Sequence, residues 1–60
     1  MKTSELLKAL RAAGCVLERH GRRHDKWINP NTGKFDWVPR HAAEVRTGLA
    51  LEILKKLAGD

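Results

Sequence analysis

Apolar residues recur at helical spacing near both ends of this chain, and short runs of strand-forming residues lie between them. Leu6, Leu7, Leu10 and Ala13 fall on one side of a first helix, which Thr3 or Ser4 is placed to cap and Gly14 to stop. Leu49, Ile53, Leu54 and Leu57 form the matching stripe of a second helix. That helix runs from a Thr47 cap to about Leu57, with Lys55 and Lys56 at the negative end of its dipole and Gly59 beyond. Leu51 falls outside the stripe, either as an isolated exposed leucine or as part of a surface for a partner.

Between the helices, Cys15 to Arg19 reads as a strand ending at a Gly21 turn, and His24 to Asn29 as a second. Pro30-Asn31-Thr32-Gly33 is turn chemistry that leads to a third strand, Lys34 to Val38, ended by Pro39. Arg40 to Arg46 is then an irregular or single-turn connection. Helix, three strands and helix in that order imply an α+β fold: an antiparallel meander with both helices on one face and the other left open.

Alternation places His24, Lys26 and Ile28 on one face of the second strand, and Asp25, Trp27 and Asn29 on the other. If Trp27 packs under the helices, His24 and Lys26 point outward, whereas a bulge or one-residue slip would exchange the faces. Phe35 and Trp37 share a face opposed by Val38. Either those rings are core, or they lie beside His24 on the open face, where aromatic rings stack on unpaired bases. With only three aromatic residues in the chain, at least one tryptophan is expected in the core.

Sixty residues suit one domain, residues 1–60, with a thin core and a stability of roughly 3 to 9 kcal/mol. At 42% hydrophobic and 32% charged residues the chain is expected to fold rather than remain disordered. Its formal net charge of +5 favours a polyanionic partner. The excess is local: residues 1–30 hold seven Lys or Arg against three acids, and residues 31–60 hold five against four. Cys15 is the only cysteine, so no intrachain disulfide forms, which fits a reducing cytosol. No apolar run approaches the roughly 20 residues of a membrane span, and no signal-peptide apolar region is seen, so a cytoplasmic location is expected.

The chemistry concentrates in His20-Gly21-Arg22-Arg23-His24-Asp25-Lys26-Trp27, two imidazoles and three cations around one glycine. Imidazole both takes and gives a proton near neutrality, and arginines beside it attract phosphate. A nucleic acid is the substrate this suggests. A metal site built on Cys15, His20 and His24 would have spacings unlike the familiar zinc patterns and no clear fourth ligand, so no metal or other cofactor is expected. Nothing near Cys15 suggests an activated thiolate.

Nearly the whole chain resembles the HicA toxin family of bacterial toxin–antitoxin systems. Ser4-Glu5-Leu6-Leu7-Lys8 followed by Gly14-Cys15 is similar to the family's opening, with cysteine in place of the usual aromatic residue. Val38-Pro39-Arg40-His41, then Gly48-Leu49 and Ile53-Leu54-Lys55, resemble its Val-Pro-His segment and C-terminal helix. His24 occupies the place of the family's functional histidine, with Arg23 where a serine commonly stands and Gly21 one residue further back. The resemblance implies a fold like the double-stranded-RNA-binding domain, an mRNA interferase activity, and a HicB-type antitoxin covering the basic open face.

Metal-free cleavage of RNA needs a base for the 2′-hydroxyl proton, cations for the charge on the phosphorane, and an acid for the leaving 5′-oxygen. His24 is the candidate base, and Arg22, Arg23 and Lys26 are the candidate phosphate contacts. His20, Lys26 or His41 would act as the acid if the fold brought it within reach. Otherwise His20 is a surface residue at a strand end, and His41 ties the connection to the second helix. Two other functions compete with cleavage: a noncatalytic RNA-binding module using the same basic patch, and a protein-binding subunit using the Leu51 side of the second helix. The toxin itself is expected to be monomeric when free.

Overall fold

Two helices with one apolar stripe each press onto the same face of a three-stranded sheet in the computed structural model, which describes residues 1–59. Helix α1 spans Thr3–Ala12 and helix α2 Thr47–Ala58; strands β1 (Val16–His20), β2 (His24–Ile28) and β3 (Phe35–Pro39) lie between them. The sheet is antiparallel in the order β1-β2-β3. The α+β meander read from the sequence is therefore the fold. Leu6 and Leu10 from α1, Ala50, Ile53 and Leu57 from α2, and Trp27 and Val38 from the sheet make the core, joined by Cys15 and Val45. Strand β1 is exposed along its whole length, Val16 and Leu17 included, because it is the edge strand that neither helix covers.

Helix α1 stops where expected and starts differently. Gly14, at φ +89°, lies just past the Ala13 cap. The Cys15 N–H donates to the Leu10 carbonyl at 2.9 Å and the Gly14 N–H to the Arg11 carbonyl at 3.0 Å, a Schellman arrangement that satisfies the helix end. At the other end, Lys2 holds the capping position and no side chain caps. Thr3, expected there, is the first helical residue, and its hydroxyl donates to the Ala42 carbonyl at 2.7 Å. The cause is a short antiparallel pairing of residues 1–3 with 42–45: Val45 N–H donates to Met1 O at 2.9 Å and Thr3 N–H to Ala43 O at 3.0 Å. The connection after Pro39 is thus tied down in its second half, and it contributes the buried Val45. The same extended backbone runs through Arg46, so α2 begins at Thr47 without the threonine cap expected.

The second turn anchors the sheet to α2. Gly33 takes φ +77°, and the Asn29 carbonyl accepts from the Gly33 N–H at 2.8 Å. Asn29, expected as the last residue of β2, lies just beyond the strand, and its buried amide donates to the Leu57 carbonyl at 2.8 Å. That carbonyl lies near the end of α2, where the helix supplies no donor of its own. Lys34 belongs to the turn and Pro39 to β3, one residue later at each end than the composition suggested. Proline is tolerated there because β3 is an edge strand.

One irregularity sets the geometry of the site. Leu17 pairs with Trp27, but the next pair is Arg19 with Lys26, so Glu18 is the extra residue of a β-bulge. Without it, His20 would face His24 across the hairpin. With it, His20 pairs with Asp25.

Candidate nucleic-acid interface

Trp27 and Val38 are buried beneath the helices, so alternation turns His24, Lys26 and Ile28 of β2, and Phe35, Trp37 and Pro39 of β3, onto the open face. The register arranges them in rows. His24 pairs with Pro39 nearest the first turn, Lys26 with Trp37 in the middle, and Ile28 with Phe35 at the far end. The bulge adds Arg19 to the middle row beside Lys26. Of the two placements open to the rings, the structure takes the exposed one: Phe35 retains 43% and Trp37 36% of its accessible surface. Among the described residues no pocket opens in this face or elsewhere.

The cations lie against those rings. The Arg19 guanidinium is 5.3 Å from the Trp37 ring centre, and Lys26 Nζ is 4.2 Å and Lys56 Nζ 5.7 Å from that of Phe35. Lys26 also forms an ion pair with the bulged Glu18 at 2.9 Å. Arg22 and Arg23 are exposed in the two-residue turn between Gly21 and His24. Neither has positive φ, so the turn is not one of the primed types that usually close such short hairpins. His24 is exposed at the start of β2, and its imidazole makes no hydrogen bond among the described residues.

Not every candidate gathers there. His20 lies on the face of the sheet opposite His24, where its Nδ1–H donates to Asp25 Oδ1 at 2.8 Å. An ionised carboxylate only accepts, so this contact holds the imidazole proton on Nδ1. Asp25 is also 3.8 Å from the Arg40 guanidinium, whose Nη1 donates to the Gly21 carbonyl at 3.2 Å. The carboxylate beside His24 in sequence thus orients His20 instead. His41 is exposed in the connection after β3. Cys15 is buried, with its Sγ 3.7 Å from the Leu57 carbonyl, and burial pushes its thiol pKa up, away from a reactive thiolate. No three His, Cys, Asp or Glu side chains among the described residues form a metal-binding group.

Three residues have roles in the site that the sequence does not assign to them. Arg19 is on the open face only because of the bulge, which leaves no plain sequence mark. Arg40 braces the first turn, and its place directly after the β3 proline was the available signal. Gly21 matters for space: a Cβ there would collide with the His24 carbonyl oxygen and lie 3.2 Å from the Trp37 ring. The indole therefore lies across Gly21, next to His24. We expect Gly21→Ala to lower stability by about 1 to 3 kcal/mol, because backbone must move. Gly48→Ala, in open space inside α2, should raise it by about 0.5 to 1 kcal/mol. Thermal unfolding followed by circular dichroism checks both; equal melting temperatures for the two variants would refute the crowding at Gly21.

The family model for the HicA toxin of bacterial toxin–antitoxin systems matches residues 3–58. No curated protein and no solved structure matches the chain.

Proposed function

Because the chain belongs to the HicA toxin family, we propose that it is the ribonuclease toxin of a toxin–antitoxin pair, cleaving messenger RNA with His24 as its acid/base residue. The observation that carries this reading is an exposed imidazole with no hydrogen-bond partner among the described residues, on the same face as Lys26 and directly after the exposed Arg22-Arg23 turn. In this mechanism His24 takes the proton of a 2′-hydroxyl, and the oxygen attacks the adjacent phosphorus. Arg22, Arg23 and Lys26 stabilise the charge gathered on the phosphorane oxygens. The P–O5′ bond then breaks as an acid protonates the leaving oxygen, leaving a 2′,3′-cyclic phosphate and a 5′-hydroxyl. Lys26 shares the face of His24, whereas His20 lies on the other side of the sheet, so Lys26 suits the acid role better.

The toxin works as one domain of residues 1–60, monomeric when free and in the cytoplasm, and no helix of the described residues is long and apolar enough to cross a membrane. A HicB-type antitoxin covers the basic face; acidic side chains in it would mimic phosphates and shield His24. A noncatalytic RNA-binding module is the second reading, favoured by the lack of a hydrogen bond to orient the His24 ring among the described residues. Incubating antitoxin-free protein with a single-stranded RNA and its 2′-deoxy analogue, both in chelator, separates the two. We expect cleavage of the RNA alone, ending in cyclic phosphate. Binding without cleavage supports the module, and cleavage of the deoxy strand overturns the 2′-hydroxyl mechanism.

A further inference from the structure

The open face carries two aromatic rings that the core does not need. Trp27 and Val38 already fill the space beneath the helices, yet Phe35 and Trp37 stand on the opposite side of β3, well exposed. Two residues apart on one strand, they are about 6.6 Å apart along it, roughly twice the 3.4 Å step between stacked bases in one strand of a duplex. Such spacing suits nucleotides drawn apart, each base laid on its own ring. A duplex offers no free base faces, since its bases are stacked on one another.

We infer that Trp37 and Phe35 form a base-stacking subsite, which makes the substrate an unpaired stretch of RNA rather than a duplex. This rests on the RNA-cleaving reading and adds to it where the chain lies. Trp37 occupies the row next to His24 and leans across Gly21, so a base on the indole brings its own sugar and phosphate to the imidazole and the Arg22-Arg23 turn. Phe35 takes the neighbouring nucleotide, away from the turn. The cations already resting on the rings do not bar the bases. Stacking of a base on an aromatic ring is stronger than the hold of an exposed cation over it, so a base displaces Arg19 from Trp37, or Lys26 and Lys56 from Phe35. The displaced side chains are then free to meet the phosphates between the bases, which is the charge complementarity that favours nucleic acid on this face. The double-stranded-RNA-binding-like topology would by analogy alone suggest a duplex; the side chains on this sheet argue otherwise.

The test measures fluorescence anisotropy of a labelled oligonucleotide whose sugars are all 2′-O-methyl, so that it cannot be cut through the 2′-oxygen. The single strand and its duplex are compared with the wild-type chain and with Trp37→Leu and Trp37→Phe variants shown by circular dichroism to be folded. We expect the single strand to bind more tightly than the duplex, Trp37→Leu to weaken single-strand binding about 10-fold, and Trp37→Phe to recover most of that affinity. The dependence on salt should be unchanged in both variants, because neither removes a cation. A duplex bound as tightly as the single strand, or a Trp37→Leu variant that binds like wild type, overturns the inference. If that variant also still cleaves RNA, the stacking subsite alone falls, the cleavage by His24 stands, and the two rings are better read as contacts for the antitoxin. Wild-type protein that binds neither oligonucleotide removes the RNA reading along with it.

Discussion

Cleavage of single-stranded RNA by a His24→Ala variant is expected to fall by about 10²- to 10⁴-fold, the contribution of one positioned acid or base. Affinity for the RNA should change little, because it comes chiefly from the cations. The His24 imidazole is exposed and makes no hydrogen bond among the described residues, so its removal leaves no partner unpaired and the variant should melt close to wild type. The contrast is His20→Ala, which removes an imidazole from the opposite face of the sheet and breaks only an exposed hydrogen bond with Asp25. Its cleavage rate should stay within a few-fold of wild type. Arg22→Ala combined with Arg23→Ala should act in a third way, weakening binding and flattening its dependence on salt by about 0.7 for each phosphate of a single strand that is no longer neutralised. Initial rates at saturating RNA, with affinities at two salt concentrations, distinguish the three. A His20→Ala defect equal to that of His24→Ala would overturn the separation of the two imidazoles.

Trp27→Ala is expected to remove a large share of the folding free energy. Deleting a buried tryptophan costs about 3 to 5 kcal/mol, and a 60-residue chain has only roughly 3 to 9 kcal/mol to lose. Trp27→Phe should remain folded, for a reason specific to this core. The buried indole N–H has no hydrogen-bond partner among the described residues, so phenylalanine gives up volume but no hydrogen bond. The Arg11 guanidinium, 5.3 Å from the ring centre, keeps an aromatic face to rest on. Circular dichroism and urea unfolding of both variants check this; an alanine variant that unfolds at the same urea concentration as wild type would show that Trp27 does not hold the sheet against the helices. The site depends on this residue as well, since the burial of Trp27 is what turns His24 and Lys26 outward.

Much of this molecule could be read along the chain, because the forces that make its elements are local. The Leu6–Leu10 and Ile53–Leu57 stripes, the Gly14 stop and the Pro30–Gly33 turn follow from spacing and backbone preference. The helix starts were misread for a nonlocal reason. Thr3 and Thr47 have capping chemistry, but the pairing of residues 1–3 with 42–45 carries extended backbone up to the first turn of each helix.

What the sequence by itself determined is the inventory and its grouping: a basic first half, an imidazole beside arginines, and which residues of a strand must share a face. Period-two alternation dictates that Phe35 and Trp37 go together and that His24 goes with Lys26. It does not dictate which face is buried, since that depends on which side two helices distant in sequence come to cover. Nor does it dictate register, which belongs to a pair of strands and not to either alone. The bulge at Glu18 decided that His20 meets Asp25 instead of His24, and that Arg19 joins the rings. Only the tertiary structure could decide that, because one unpaired residue in β1 is selected by the packing and pairing of everything beside it.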